Sequence, residues 1–85
     1  MQYVTFTSDK IIRNSAALVK GFSIGAAAAS VVNIYDGTSS SGTLVFNLEI
    51  PQNETSMFFA DGVPFNSGVY VDVVSGSVIG SVFVE

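Results

Sequence analysis

Cysteine, histidine and tryptophan are all missing from this 85-residue chain. Without cysteine no disulfide can staple the fold, and the redox compartment stays open. Without histidine the commonest metal ligand and the usual neutral-pH base are gone, which excludes the Ser–His and Cys–His arrangements of nucleophilic catalysis. Charge is scarce too: 12% of residues are charged, against about 25% in ordinary soluble domains. Only Lys10, Arg13 and Lys20 are basic, and the formal net charge is -4. Nucleic-acid binding needs a cationic footprint for phosphates, which so few cations do not build. No apolar run approaches the roughly 20 residues of a membrane-spanning helix. The opening residues, Met1 to Lys10, pair no cationic region with an apolar stretch, so no signal peptide is expected.

What remains is apolar and small. Hydrophobic residues make up 48% of a chain with room for one domain, residues 1–85. A domain of this size buries about 60–65% of its unfolded surface, and small domains compensate with disulfides, metals or association. Here association or an unusually apolar core is left. The later segments favour association. Side chains alternate across a strand, so Val69, Val71, Val73, Val78, Val82 and Val84 share one kind of face. The opposite positions carry Tyr70, Val74, Ile79 and Phe83, more apolar surface than a half-buried sheet needs.

Turn signals divide the chain into short strands. Tyr3–Phe6 and Lys10–Arg13 come first, and residues 1–13 read as an N-terminal arm or an edge strand. Leu18 to Ile24 follows, with Leu18, Phe22 and Ile24 on one face and Gly21 as a bulge that re-aims Lys20. The Gly25–Ser30 stretch reads as a tight connection, with a short helical turn as its alternative. Ser30–Tyr35 and Thr43–Ile50 flank the hairpin loop Asp36–Gly42, and Pro51 ends the second of them. Thr55–Ala60 is another strand, followed by a corner at Asp61–Gly68. Ser75-Gly76 reads as the two-residue hairpin turn between the last two strands. The expectation is all-β: a single small antiparallel β-sandwich or jelly roll of seven to eight strands.

Little catalytic chemistry is left. The carboxylates Asp36, Glu49, Glu54, Asp61 and Asp72 read as solvated turn and edge groups, because the chain is too short to wall a sugar cleft. Asp36-Gly37 and Asp61-Gly62 are what tight turns prefer and lack the ligand series of a calcium loop. No cofactor or metal is expected. Most rings alternate with aliphatics as core or interface filling. Phe58-Phe59 is different, since neighbours on a strand face opposite sides and one ring must meet something beyond the core.

Asn33-Ile34-Tyr35-Asp36-Gly37 followed by Ser41-Gly42-Thr43, the corner Val63-Pro64-Phe65-Asn66-Ser67-Gly68-Val69-Tyr70-Val71, and the closing Gly80-Ser81-Val82-Phe83-Val84 have a shared pattern. In order and spacing they resemble small β-sandwich virion proteins of tailed bacteriophages, over roughly residues 17–85. Lys20 departs from the histidine or polar residues that many members carry before the third strand. The resemblance implies a non-enzymatic virion structural protein, a capsid decoration (cement) protein, made in the bacterial cytoplasm and placed on the capsid surface. It implies a homotrimer bound to the major capsid protein, with no nucleic-acid or membrane partner. Its interface is expected to draw on Tyr3, Phe6, Lys10, Arg13, Phe59, Tyr70, Asp72, Val74, Ile79 and Phe83, with the arm strapped to an acidic surface. The alternative is a tail or fibre module binding a host-surface glycan through loops Thr38–Gly42 and Gln52–Thr55.

Overall fold

A computed structural model describes residues 1–85. Eight strands form: β1 (Gln2–Phe6), β2 (Lys10–Arg13), β3 (Ala17–Ala26), β4 (Ser30–Asp36), β5 (Thr43–Ile50), β6 (Thr55–Phe65), β7 (Val69–Ser75) and β8 (Val78–Val84). They build two four-stranded antiparallel sheets, ordered β1-β8-β3-β6 and β2-β7-β4-β5. The pairings run β1 with β8, β2 with β7, β3 with β6 and β4 with β5. That is one long hairpin rolled into two layers, the jelly-roll form of the sandwich.

Period-two alternation explains the core. Val19, Phe22, Ile24, Val82 and Val84 of the first sheet meet Val32, Ile34, Val69 and Val71 of the second, and all are buried. Phe22, Phe46 and Phe58 add a ring cluster, with centroids 5.2 to 5.4 Å apart.

Several local expectations change. The β3 register shifts between Val19 and Gly21. The bulge at Gly21 is there, but it switches the phase, so Val19 points inward and Leu18 is exposed. The strand expected to stop at Ala60 continues to Phe65 as β6. Pro64 is tolerated there because β6 is an edge strand, where a missing N–H breaks no ladder. Ser75-Gly76 is no hairpin: β7 and β8 belong to different sheets, and the turn carries the chain across the sandwich. Gly76 has φ 92°, and a Cβ there would lie 2.1 Å from the Ser30 hydroxyl. Ser77 N–H donates to that hydroxyl (3.1 Å), which donates to the Ala28 carbonyl (2.7 Å). The β3–β4 and β7–β8 crossings between the sheets are therefore tied together at Ser30.

Residues 1–13 form edge strands of both sheets rather than a loose arm. β1 pairs with β8 from Gln2 to Phe6, and β2 pairs with β7. The strap expectation is therefore corrected: residues 1–9 supply a strand and a core ring, so their removal takes away part of the domain.

Candidate functional site: the charge-free sheet face

Because β7 and β8 lie in different sheets, the surplus apolar positions divide between two opposite outer faces. Ile79 and Phe83 point out from the first sheet, Tyr70 and Val74 from the second. No single surface unites them.

On the first sheet, Tyr3, Phe83, Gly21 and Phe59 stand in register across all four strands. Gly21 makes this row work. A Cβ there would lie 2.3 Å from the Phe58 carbonyl and 2.8 Å from the Phe59 ring, so only glycine lets that ring lie over β3. Phe59 reaches Phe83 with centroids 5.7 Å apart, and Phe83 reaches Tyr3 at 6.4 Å. The next row is Thr5, Ser81, Ser23 and Met57; the one after holds Ile79, Gly25 and Thr55. Exposure is high: Tyr3 68%, Met57 62%, Phe59 61% and Ile79 69%. None of these rows contains a charged side chain. Charge appears at the ends of the face: at one, the Lys20 amine pairs with the Glu85 carboxylate at 3.1 Å and donates to the Asp61 carbonyl, and at the other Glu54 borders the row of Ile79, Gly25 and Thr55. The Lys20 hydrogen bond and charge hold the Glu85 carboxyl below its ordinary range.

The second outer face is mixed. Ile11, Tyr70, Tyr35 and Leu44 form one row, and Asp72, Asn33 and Asn47 the next. The Asn47 amide donates to Asn33 Oδ1 (2.6 Å), and the Asn33 amide donates to the Tyr35 hydroxyl (3.3 Å). Asp9, just before β2, accepts the Val73 N–H at 2.7 Å. Burial and then the neighbouring Asp9 push the Asp72 carboxyl above its ordinary range, and burial and the same acids push the Tyr70 phenol up.

Of the residues expected at an interface, Tyr3, Phe59, Ile79 and Phe83 are brought together on the first face. Tyr70, Asp72 and Val74 lie on the second. Phe6 is core, 2% exposed, with its ring against Gly80, so it has no surface to offer. Lys10 and Arg13 bind within the chain, Lys10 Nζ to the Thr5 carbonyl (3.2 Å) and Arg13 Nη2 to Gln2 Oε1 (3.0 Å). Met57 was not singled out from the sequence. Its two-residue spacing from Phe59 was the available signal.

The segments Asn33–Thr43 and Val63–Val71 meet in space. Asp36 accepts the N–H groups of Asn66 (2.9 Å) and Ser67 (2.8 Å), and these bonds hold its carboxyl below the ordinary range. The motif is thus a corner brace. Loops Thr38–Gly42 and Gln52–Thr55 lie at opposite ends of β5, about 25 Å apart at the rise of a strand. They do not form one glycan site.

Fold and surface together define a small jelly-roll sandwich with one ring-bearing face whose central rows lack charge. In comparisons with known proteins, no family model, no curated protein and no solved structure matches this chain.

Proposed function

We propose that this chain is a non-enzymatic structural protein of a tailed-phage particle, a capsid decoration protein that docks through the outer face of the β1-β8-β3-β6 sheet. A fold of this kind hosts many activities, so the reading rests on the surface and not on the architecture. One observation carries it: four large apolar side chains stand exposed among small uncharged residues on a single sheet face. Aromatic side chains in a charge-poor patch are the usual anchors of protein interfaces. The motif resemblance supplies the phage context. A shell repeats the same contact many times, so modest affinity at each site adds through valency.

Particles purified from a lysate of the phage that encodes this chain should contain it, and particles stripped of it should bind it again. The triple variant Tyr3→Ser, Phe59→Ser, Ile79→Ser should fold but lose about 10,000-fold in affinity, as expected when three anchors worth about 2 kcal/mol each are removed. Recovery of the chain only from the soluble fraction, with no rebinding, sinks the proposal.

A further inference from the structure

The sandwich has two long sides, and they are finished differently. Along the β1/β2 side Phe6 and Ile12 are closed off, at 2% and 7% exposure. The side chains of Lys10 and Arg13 bridge the two edges there. β2 is short and carries a register shift, which blunts its edge. Along the β5/β6 side Ile50 and Phe65 are buried as well, and β5 has its own register shift, but no side chain hydrogen-bonds from one edge to the other. Phe46, Leu48 and Phe58 pack on the core yet stay only half-buried.

Both edge strands on that side have unused backbone. β5 pairs only with β4, and its backbone makes no bond outside that ladder. β6 pairs only with β3. Beyond Phe59 its bulge and Pro64 spoil the edge, but Thr55–Phe59 is regular. Exposed edges without charged or bulged protection recruit further strands. β5 after its own register shift near Val45 has Glu49 as its one charge and no lysine or proline.

We propose that the β5/β6 side is a homotypic contact, in which β5 of a second copy pairs antiparallel with β5 across a two-fold axis near Asn47. The partner must offer two antiparallel edges at the spacing of two packed sheets, about 10 Å, with apolar side chains between them. The same side of another copy offers that, and a two-fold axis makes the patch self-complementary. Residues pair when their positions sum to twice that of Asn47. Phe46 therefore lies opposite Leu48 on the inner face, and Glu49 opposite the bulge at Val45, which limits the regular pairing to the residues around Asn47. A chain of net charge -4 repels its own copies, but this register sets no two carboxylates opposite each other. The half-buried rings of both copies then close one shared core. This contact is independent of the virion reading and differs from the three-fold arrangement implied by the phage resemblance.

Sedimentation of the purified chain over a concentration series, together with an Asn47→Cys variant, tests it. The native chain has no cysteine, so any cross-link reports the new residue alone. Directly opposed strand residues lie about 4.5–5.5 Å apart at Cα, within disulfide reach. A dimer that cross-links through the new cysteine, and that Asn47→Lys splits into folded monomers, is the expected result. A monomer at every concentration overturns the proposal. So does a trimer, or a dimer that neither cross-links at position 47 nor responds to Asn47→Lys. None of these outcomes bears on particle binding, which is read separately.

Discussion

The two outer faces of this sandwich sit on sheets of equal strand number over one core, yet only one has central rows free of charge. Exposed apolar side chains occur on both: Tyr3, Met57, Phe59 and Ile79 on one, Ile11, Leu44 and Val74 on the other. What separates them lies between those residues. On the second face an amide ladder, two phenols and Asp72 interleave with the aliphatics. Glycines and short hydroxyls fill the gaps of the first. Apolar content alone therefore does not mark a surface to be covered; the absence of groups that hold water does.

The comparison breaks most visibly across the thickness of the first sheet. Phe6→Ala, on its inner side, should cost about 3–5 kcal/mol in urea unfolding. Phe59→Ser, on its outer side, should cost about 1 kcal/mol, the order of its ring contact with Phe83. Equal losses at the two positions would make the outer rings part of the monomer's own core. Gly21→Ala should cost about 1–3 kcal/mol by crowding the Phe58 carbonyl and the Phe59 ring. Ser23→Ala, two residues along the same face, should leave the melting temperature nearly unchanged. If both behave alike, Gly21 is not what seats the ring row.

Two acids sharpen the contrast through pH. Asp36 is held below its ordinary value of 3.8 by the Asn66 and Ser67 N–H groups. Its folded form binds fewer protons than the unfolded chain, so its contribution is complete above about pH 4 and is lost as pH falls through the folded value. Asp36→Asn should lower the melting temperature at neutral pH and flatten the acid limb; an unchanged limb would mean that the corner brace carries no weight. Asp72 has the opposite sign. Raised above 3.8 by burial and Asp9, it binds more protons when folded, so stability declines as pH rises from the unfolded value through the folded one. Asp72→Asn should gain about 0.5 kcal/mol or less at pH 7 and nothing in strong acid. A loss at pH 7 would assign Asp72 a favourable partner.

Local patterns in the sequence carried the layers but not the wiring. Alternation placed Val69, Val71, Val82 and Val84 inside and Ile79 outside, because period two needs no knowledge of the partner strand. Gly21 announced its bulge, but the phase change at Leu18 depends on how many residues the opposing β6 inserts. Ser75-Gly76 misled for a physical reason. A positive-φ glycine suits a hairpin and a crossing equally well, and the choice is made by long-range pairing. The same gap hid the division of the outward residues between two faces. The β5/β6 side was invisible until both edges were known.

The rolled-hairpin pairing also sets an order of events. Gln2 has to wait for Val84 before it gains a neighbour, whereas Asp36 and Thr43 are joined by a short loop. Loop-closure entropy favours the β4–β5 nucleus, with closure proceeding outward to the termini. Such topologies assemble in milliseconds to seconds rather than microseconds. During synthesis, β1 emerges before the other seven strands of this domain yet is the last to be seated, and Val4 and Phe6 stay unprotected through that interval.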